Sequence, residues 1–132
     1  MSELNKKSEE EWLRILGQEA FMVCRKKGTE PPFSGEYVDS KGSGTYHCIC
    51  CDEALFSSID KYDSGTGWPS FKNEIFESGI KKEKDLSYGM ERIELICRKC
   101  ESHLGHLFND GPSPTGLRYC INSLSLNFKP TD

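Results

Sequence analysis

Along the chain the spacing of apolar residues changes once, from helical to strand-like. Trp12, Leu13, Ile15 and Leu16 follow Ser8-Glu9-Glu10-Glu11. In that arrangement Ser8 caps a helix and Glu11 reaches back to the cap backbone, so a short helix is predicted to end at Gly17. Ala20, Phe21, Val23 and Cys24 recur at helical spacing before Gly28, which predicts a second short helix over residues 18–27. Residues 1–27 are therefore expected to form a mostly helical N-terminal cap on a sheet. From Pro31 onward glycines, paired turn residues and short apolar runs take over, the texture of short strands joined by tight turns. The body is expected to be mainly antiparallel β. Tyr88 to Cys97 is the longest strand candidate, and Leu117 to Phe128 holds the next, in one piece or two. Leu124, Leu126 and Phe128 have the opposite parity to Leu117, Tyr119 and Ile121, so a bulge or turn near Asn122 and Ser123 must switch the inward face. The run Lys81-Lys82-Glu83-Lys84-Asp85 has mixed charge and reads as a solvated turn.

Composition narrows the class. A chain of 132 residues, 36% hydrophobic and 11% aromatic, is the size of one globular domain, 1–132. Its net charge of -4 argues against a phosphate-binding surface, which needs an excess of Lys and Arg, so no nucleic-acid partner is expected. Met1 to Glu11 is charged and polar, and the chain lacks the apolar run of about 20 residues that a membrane helix needs. We expect a soluble, cytoplasmic monomer with no membrane partner.

The cysteines bring in chemistry. Seven is an odd number, and four of them form two pairs at CxxC spacing, Cys48 with Cys51 and Cys97 with Cys100, a pattern of metal ligation rather than of a secreted disulfide framework. Two such turns can aim four thiolates at one ion, which suits a single structural Zn2+ with no open coordination position. Four-sulfur iron, as in a rubredoxin, is the chemical rival, and Cys50 between two ligands is a spare.

In Leu117-Arg118-Tyr119-Cys120-Ile121-Asn122 strand alternation puts Arg118, Cys120 and Asn122 on the face opposite the apolar residues. A guanidinium two residues from a thiol favours thiolate, the nucleophilic form, though a half-buried cysteine in an ordinary strand fits the same spacing. Ser102 to Gly111 supplies His103, His106 and Asp110, candidate proton donors near neutral pH. Either histidine as a metal ligand is the competing reading, disfavoured because four thiolates already complete a site. Trp68, between Gly67 and Pro69, either caps the core or walls a pocket for an apolar substrate group.

Gly28 to Gly35, Gly65 to Phe71, Cys97 to Gly111 and Gly116 to Ser123 together closely resemble the B-type methionine sulfoxide reductases, over about Leu16 to Phe128. The resemblance implies two small antiparallel sheets with N-terminal helices and a structural zinc. It implies reduction of the R-epimer of protein-bound methionine sulfoxide, with oxidised proteins as substrates and thioredoxin or another thiol as reductant. By motif, Cys120 attacks the sulfoxide sulfur and becomes a sulfenic acid, while His103 and His106, helped by Asp110, protonate the departing oxygen. Trp68 packs against the substrate methyl, Arg118 favours the thiolate, and Asn122 holds water or the histidines.

Many relatives place a resolving cysteine between Gly65 and Gly67, where this chain has Thr66; in the Pro-Pro-Phe-x-Gly segment it has Ser34. Direct reduction of the sulfenic acid by an external thiol therefore ranks first, Cys24 as a resolving thiol second, and Cys50 third. Cys24 requires its helix to lie over the site, since a disulfide needs Cα atoms within about 7 Å; as a packed helix cysteine it needs nothing. Of other classes, a zinc-ribbon interaction module accounts for the two CxxC pairs alone, but not for the face carrying Arg118, Cys120 and Asn122.

Overall fold

The structure is a computed structural model that describes residues 7–75 and 79–131; the first six residues of the polar N-terminal stretch lie outside it. Helix α1 spans Glu9–Leu16, with the Ser8 and Glu11 capping box formed in both directions, and ends at Gly17 in a positive-φ conformation. Helix α2, Gln18–Lys26, stops one residue earlier than the spacing predicts, because Lys27 takes the left-handed conformation and Gly28 N–H closes back onto the Met22 carbonyl. Its buried face is Ala20, Phe21, Val23 and Cys24, the set that the periodicity selects.

Nine strands follow among the described residues: β1 Gly44–Cys48, β2 Ala54–Ser57, β3 Lys61–Tyr62, β4 Ser70–Phe71, β5 Ile80–Asp85, β6 Arg92–Cys97, β7 His103–Phe108, β8 Arg118–Ile121 and β9 Leu126–Pro130. They form two antiparallel sheets, one ordered β2-β1-β9 and one ordered β3-β4-β8-β7-β6-β5. The mainly β, two-sheet expectation holds. Aromatic side chains join the layers: Phe56 of β2 stacks on Phe71 of β4 at 4.4 Å, and Tyr46 of β1 meets Phe71 edge-on at 5.1 Å. Leu95, Leu104, Tyr119 and Ile121 belong to the same core, with Leu55, Ile80 and Leu126.

Two predicted elements are corrected. Lys81 to Asp85 is not a turn but most of β5, paired along its whole length with β6. As the outer strand of its sheet it needs only backbone bonds on one side, and its lysines find carboxylates, Lys81 with Glu83 at 3.3 Å within the strand and Lys82 with the buried Glu74 at 3.0 Å. The Tyr88 to Cys97 strand is shorter than predicted, beginning at Arg92, because Ser87–Gly89 forms a 3-10 turn with Gly89 at φ 69° that closes the β5-β6 hairpin. The parity switch after Asn122 is a 3-10 turn over Ser123–Ser125 that carries the chain from one sheet to the other.

Candidate active site

At one end of the fold Cys48, Cys51, Cys97 and Cys100 bring their sulfurs within 4.8 Å of one another. The two turns are built alike. Asp52 N–H bonds the Cys48 carbonyl and Glu101 N–H the Cys97 carbonyl, each at 2.8 Å, with Asp52 and Glu101 both at positive φ. Cys48 N–H then reaches Glu53 O, and Cys97 N–H reaches Ser102 O. The Cys48–Cys100 and Cys51–Cys97 sulfur separations are 3.6 and 3.5 Å, near the edge of about 3.8 Å of a tetrahedron with metal–sulfur bonds of about 2.3 Å. These four cysteines can hold a metal ion with no position left for substrate. Arg25 ties α2 to this end by donating to the Cys100 carbonyl at 2.9 Å.

The second cluster lies on the face of the large sheet away from the core. Ser70, Cys120, His106, Glu94 and Glu83 are successive cross-strand partners on β4, β8, β7, β6 and β5, so their side chains share one face. Gly105 sits beside this row because a Cβ there would come within 1.9 Å of the Cys120 carbonyl. A cavity of about 90 Å³ opens on the row, lined by Thr29, Trp68, Arg92, Gly105, His106, Phe108, Cys120 and Asn122. A larger hollow of about 440 Å³ between Val38–Gly42 and Ser58–Asp63 is lined by neither a cysteine nor a histidine. Cys120 is half-buried; burial pushes its thiol up, while the Arg118 charge and the nearby Thr66 hydroxyl pull it down.

Strict alternation would put His103 and His106 on opposite faces. A bulge prevents this: Leu95 faces Gly105 but the next residue, Ile96, faces His103, so β7 carries one extra residue. The two rings come to 5.5 Å, nearly perpendicular. Each is held by a carboxylate. His106 Nε2 lies 2.8 Å from Asp85 Oδ2, and His103 Nδ1 lies 2.8 Å from Glu94 Oε2. An ionised carboxylate only accepts, so these ring nitrogens carry the protons. Burial lowers the His103 pKa despite Glu94. Its Nε2 is buried and has no hydrogen-bond partner among the described residues. The bond from His106 holds the Asp85 carboxyl well below the usual carboxylate range.

Asp110, expected beside the histidines, is brought instead to Arg118, whose Nε and Nη2 donate to its two oxygens at 2.8 and 3.2 Å. The same guanidinium lies over the Phe108 ring at 4.3 Å. Asn122 hydrogen-bonds to neither histidine ring among the described residues; its backbone N–H and its Nδ2 both donate to the Leu104 carbonyl, at 2.9 and 3.1 Å, and so hold the bulge. Its Oδ1 accepts from Glu30 N–H at 3.0 Å, while Trp68 Nε1 donates to the Glu30 carbonyl at 2.9 Å. Glu30, itself buried, fixes both, and its Oε1 accepts from Leu124 N–H. Trp68 walls the cavity rather than capping the core.

Cys24 is directed elsewhere. Its sulfur lies 3.7 Å from Leu124 O and from Ser125 Oγ and within reach of Cys50. It lines a different hollow, of about 270 Å³, with Lys27, Glu94 and His103. Sequence reasoning missed Asp85, Glu94 and Glu30. The alternation of Arg92, Ile93, Glu94 and Leu95 along β6 carries a signal for Glu94. Asp85 was hidden inside what reads as a turn, and Glu30 acts largely through its backbone.

The SelR domain family profile matches residues 16–130. A protein named peptide methionine sulfoxide reductase MsrB from Pseudomonas putida is 57% identical over 126 residues, covering 96% of this chain and 95% of the relative. Its namesake in Saccharophagus degradans is 57% identical over 129 residues, covering 98% and 96%. That of Acinetobacter baylyi is 56% identical over 129 residues, covering 98% and 92%.

Proposed function

The chain belongs to the SelR domain family of B-type methionine sulfoxide reductases, oxidoreductases acting on sulfur, and we propose that it reduces the R-epimer of protein-bound methionine sulfoxide. The observation that carries this reading is the cross-strand pairing of Cys120 with His106 on a cavity walled by Trp68 and Phe108. The Cys120 thiolate attacks the sulfoxide sulfur, and the substrate S–O bond breaks as its oxygen passes to Cys120. Methionine leaves reduced by two electrons, and Cys120 is left as a sulfenic acid, with one proton consumed. His106, oriented by Asp85, supplies that proton, with the His103 and Glu94 pair beside it. Arg118, steadied by Asp110, favours the thiolate, and Trp68 packs against the substrate methyl. Asn122 keeps the histidine bulge in place.

The cysteine cluster fits one structural Zn2+, held by Cys48, Cys51, Cys97 and Cys100; the ion would supply a cross-link between the two turns. A first external thiol converts the sulfenic acid to a mixed disulfide with loss of water, and a second, such as that of thioredoxin, releases Cys120 as thiol. Cys24 takes the resolving role only if α2 leaves its seat against Ser125. Among the described residues no helix is long and apolar enough to cross a membrane, and we place the enzyme in the cytoplasm, acting as a monomer in repair of oxidised proteins.

The test is a peptide carrying each separate epimer of methionine sulfoxide, incubated with zinc-loaded protein and dithiothreitol and followed by mass. Reduction of the R-epimer alone, lost in Cys120→Ser with the metal retained, is the expected result. No turnover of either epimer by folded, zinc-loaded protein would overturn the reading in favour of a zinc-ribbon interaction module.

A further inference from the structure

We propose that a hollow beside the catalytic cavity is a second substrate subsite, which takes an apolar side chain lying within two residues of the methionine sulfoxide. The inference rests on the reductase reading and deepens it. The cavity that opens on Cys120 measures about 90 Å³, the volume of about three waters. It admits the methylsulfinyl end of a substrate side chain and leaves the main chain outside. A protein substrate therefore lies across the mouth, and whatever borders the mouth meets the residues on either side of the sulfoxide.

The bordering space is a hollow of about 310 Å³ whose apolar lining is Ile93, Leu107, Phe108 and Leu117. Arg92 and Phe108 line both this hollow and the catalytic cavity, so the two share a wall. Phe108 follows His106 by two residues on β7 and pairs with Arg118, which precedes Cys120 by two on β8. The wall thus stands about 7 Å along the sheet from the reacting row, a distance that an extended peptide covers in two residues. It is held in place on both sides: the Arg118 guanidinium lies over the Phe108 ring at 4.3 Å, and Arg92 reaches Asp85 at 3.7 Å.

The lining selects the occupant. Ile93 and Leu107 are cross-strand partners, and with Phe108 and Leu117 they present four apolar side chains that are only half-buried. Glu91, the acid in the lining, is paired with Lys84 at 3.0 Å. An aliphatic or aromatic side chain seated here removes apolar surface from water on both partners, which is the gain such a hollow offers. Ile93, Leu107 and Leu117 stand outside the proton path, so the subsite sets preference for the flanking sequence and leaves the chemistry to Cys120 and His106.

The test uses peptides that carry the R-epimer of methionine sulfoxide among serines, with a single Leu placed in turn at each of the four nearest positions. Reduction by zinc-loaded protein with dithiothreitol is followed by mass. Leu at one of these positions is expected to raise kcat/KM roughly tenfold over the all-serine peptide. Leu117→Ser, which removes part of the lining, should cut that advantage to about threefold or less. Asn109→Trp, which fills the hollow from its exposed rim, should abolish it, while both variants reduce the all-serine peptide at the parent rate. Equal rates for all five peptides would overturn the subsite and leave the reductase reading standing, and so would a Leu advantage undiminished in both variants. No reduction of any peptide would overturn the reductase reading and the subsite with it.

Discussion

The two sulfur sites of this protein are built on opposite plans. At the metal-binding end two short segments use the same turn twice, each closed by its own backbone, and the four sulfurs meet because each turn already aims its pair. At Cys120 nothing local suffices. Cys120, the two histidines and their carboxylates come from four strands, and even the placing of His103 depends on a bulge held by Asn122. The first plan makes a cross-link that tolerates little change. The second makes a surface on which each residue can be tuned separately, at the cost of depending on the whole sheet.

The sharpest way to break that contrast is to remove one sulfur from each site. Cys97→Ser should lose the metal and with it several kcal/mol of folding free energy, since binding a structural zinc ion is coupled to folding. We expect a Tm lower by roughly 10 °C or more, read by calorimetry with metal content measured in parallel, whereas Cys120→Ser should melt like the parent. Equal melting of both variants would mean that the four-cysteine cluster is not the cross-link its geometry suggests.

Within the catalytic face the contrast becomes one of degree. His106→Gln should lower kcat/KM by about a hundredfold or more, the usual contribution of a positioned proton donor. Asp85→Asn should cost roughly tenfold, because it weakens a charge-assisted bond worth about 1.5–3 kcal/mol without removing the ring. Glu94→Gln should cost less still, as His103 borders a different hollow from the one that opens on Cys120. Steady-state reduction of a sulfoxide peptide ranks the three. If Glu94→Gln proved worse than Asp85→Asn, the proton path would run through His103.

The same division explains what could be read from the sequence. The cysteine turns were legible because their information is local: two residues between ligands, then a turn. The Ser8 and Glu11 cap and the face of α2 were legible for that reason too. Cys120, Arg118 and Asn122 shared a face by simple alternation. What alternation could not supply was the extra residue in β7, because a bulge is fixed by the partner strand. Nor could it reveal Asp85. An outer strand whose only buried residue is its first, Ile80, carries almost no apolar code, so Lys81 to Asp85 looked like a turn and its last residue looked like solvent-facing charge. Asp110 was misplaced for the opposite reason: it is close to the histidines in sequence, but the loop returns it to Arg118.

The smallest effect separates the two histidine–carboxylate pairs by pH. Burial sets the folded pKa of His103 below its ordinary value of 6.5. As pH falls through 6.5 the unfolded chain takes up a proton that folded His103 refuses, so this stability is complete above that pH and declines as pH drops toward the folded value. Asp85 acts in a lower window. Its folded pKa lies below the ordinary 3.8, so its contribution is present above that pH and is lost only under stronger acid. Urea unfolding at mildly alkaline pH and again near pH 5 (about one and a half units under the histidine value) should show a larger loss for the parent than for His103→Gln. Asp85→Asn should lose as much as the parent over that interval and diverge only below pH 4 or so. Acid also protonates the metal-binding thiolates, but it does so in all three proteins, so the difference between variant and parent isolates the imidazole. Identical losses in His103→Gln and the parent would mean that His103 takes up its proton in the folded state as easily as in water, and that Glu94 outweighs the burial around it.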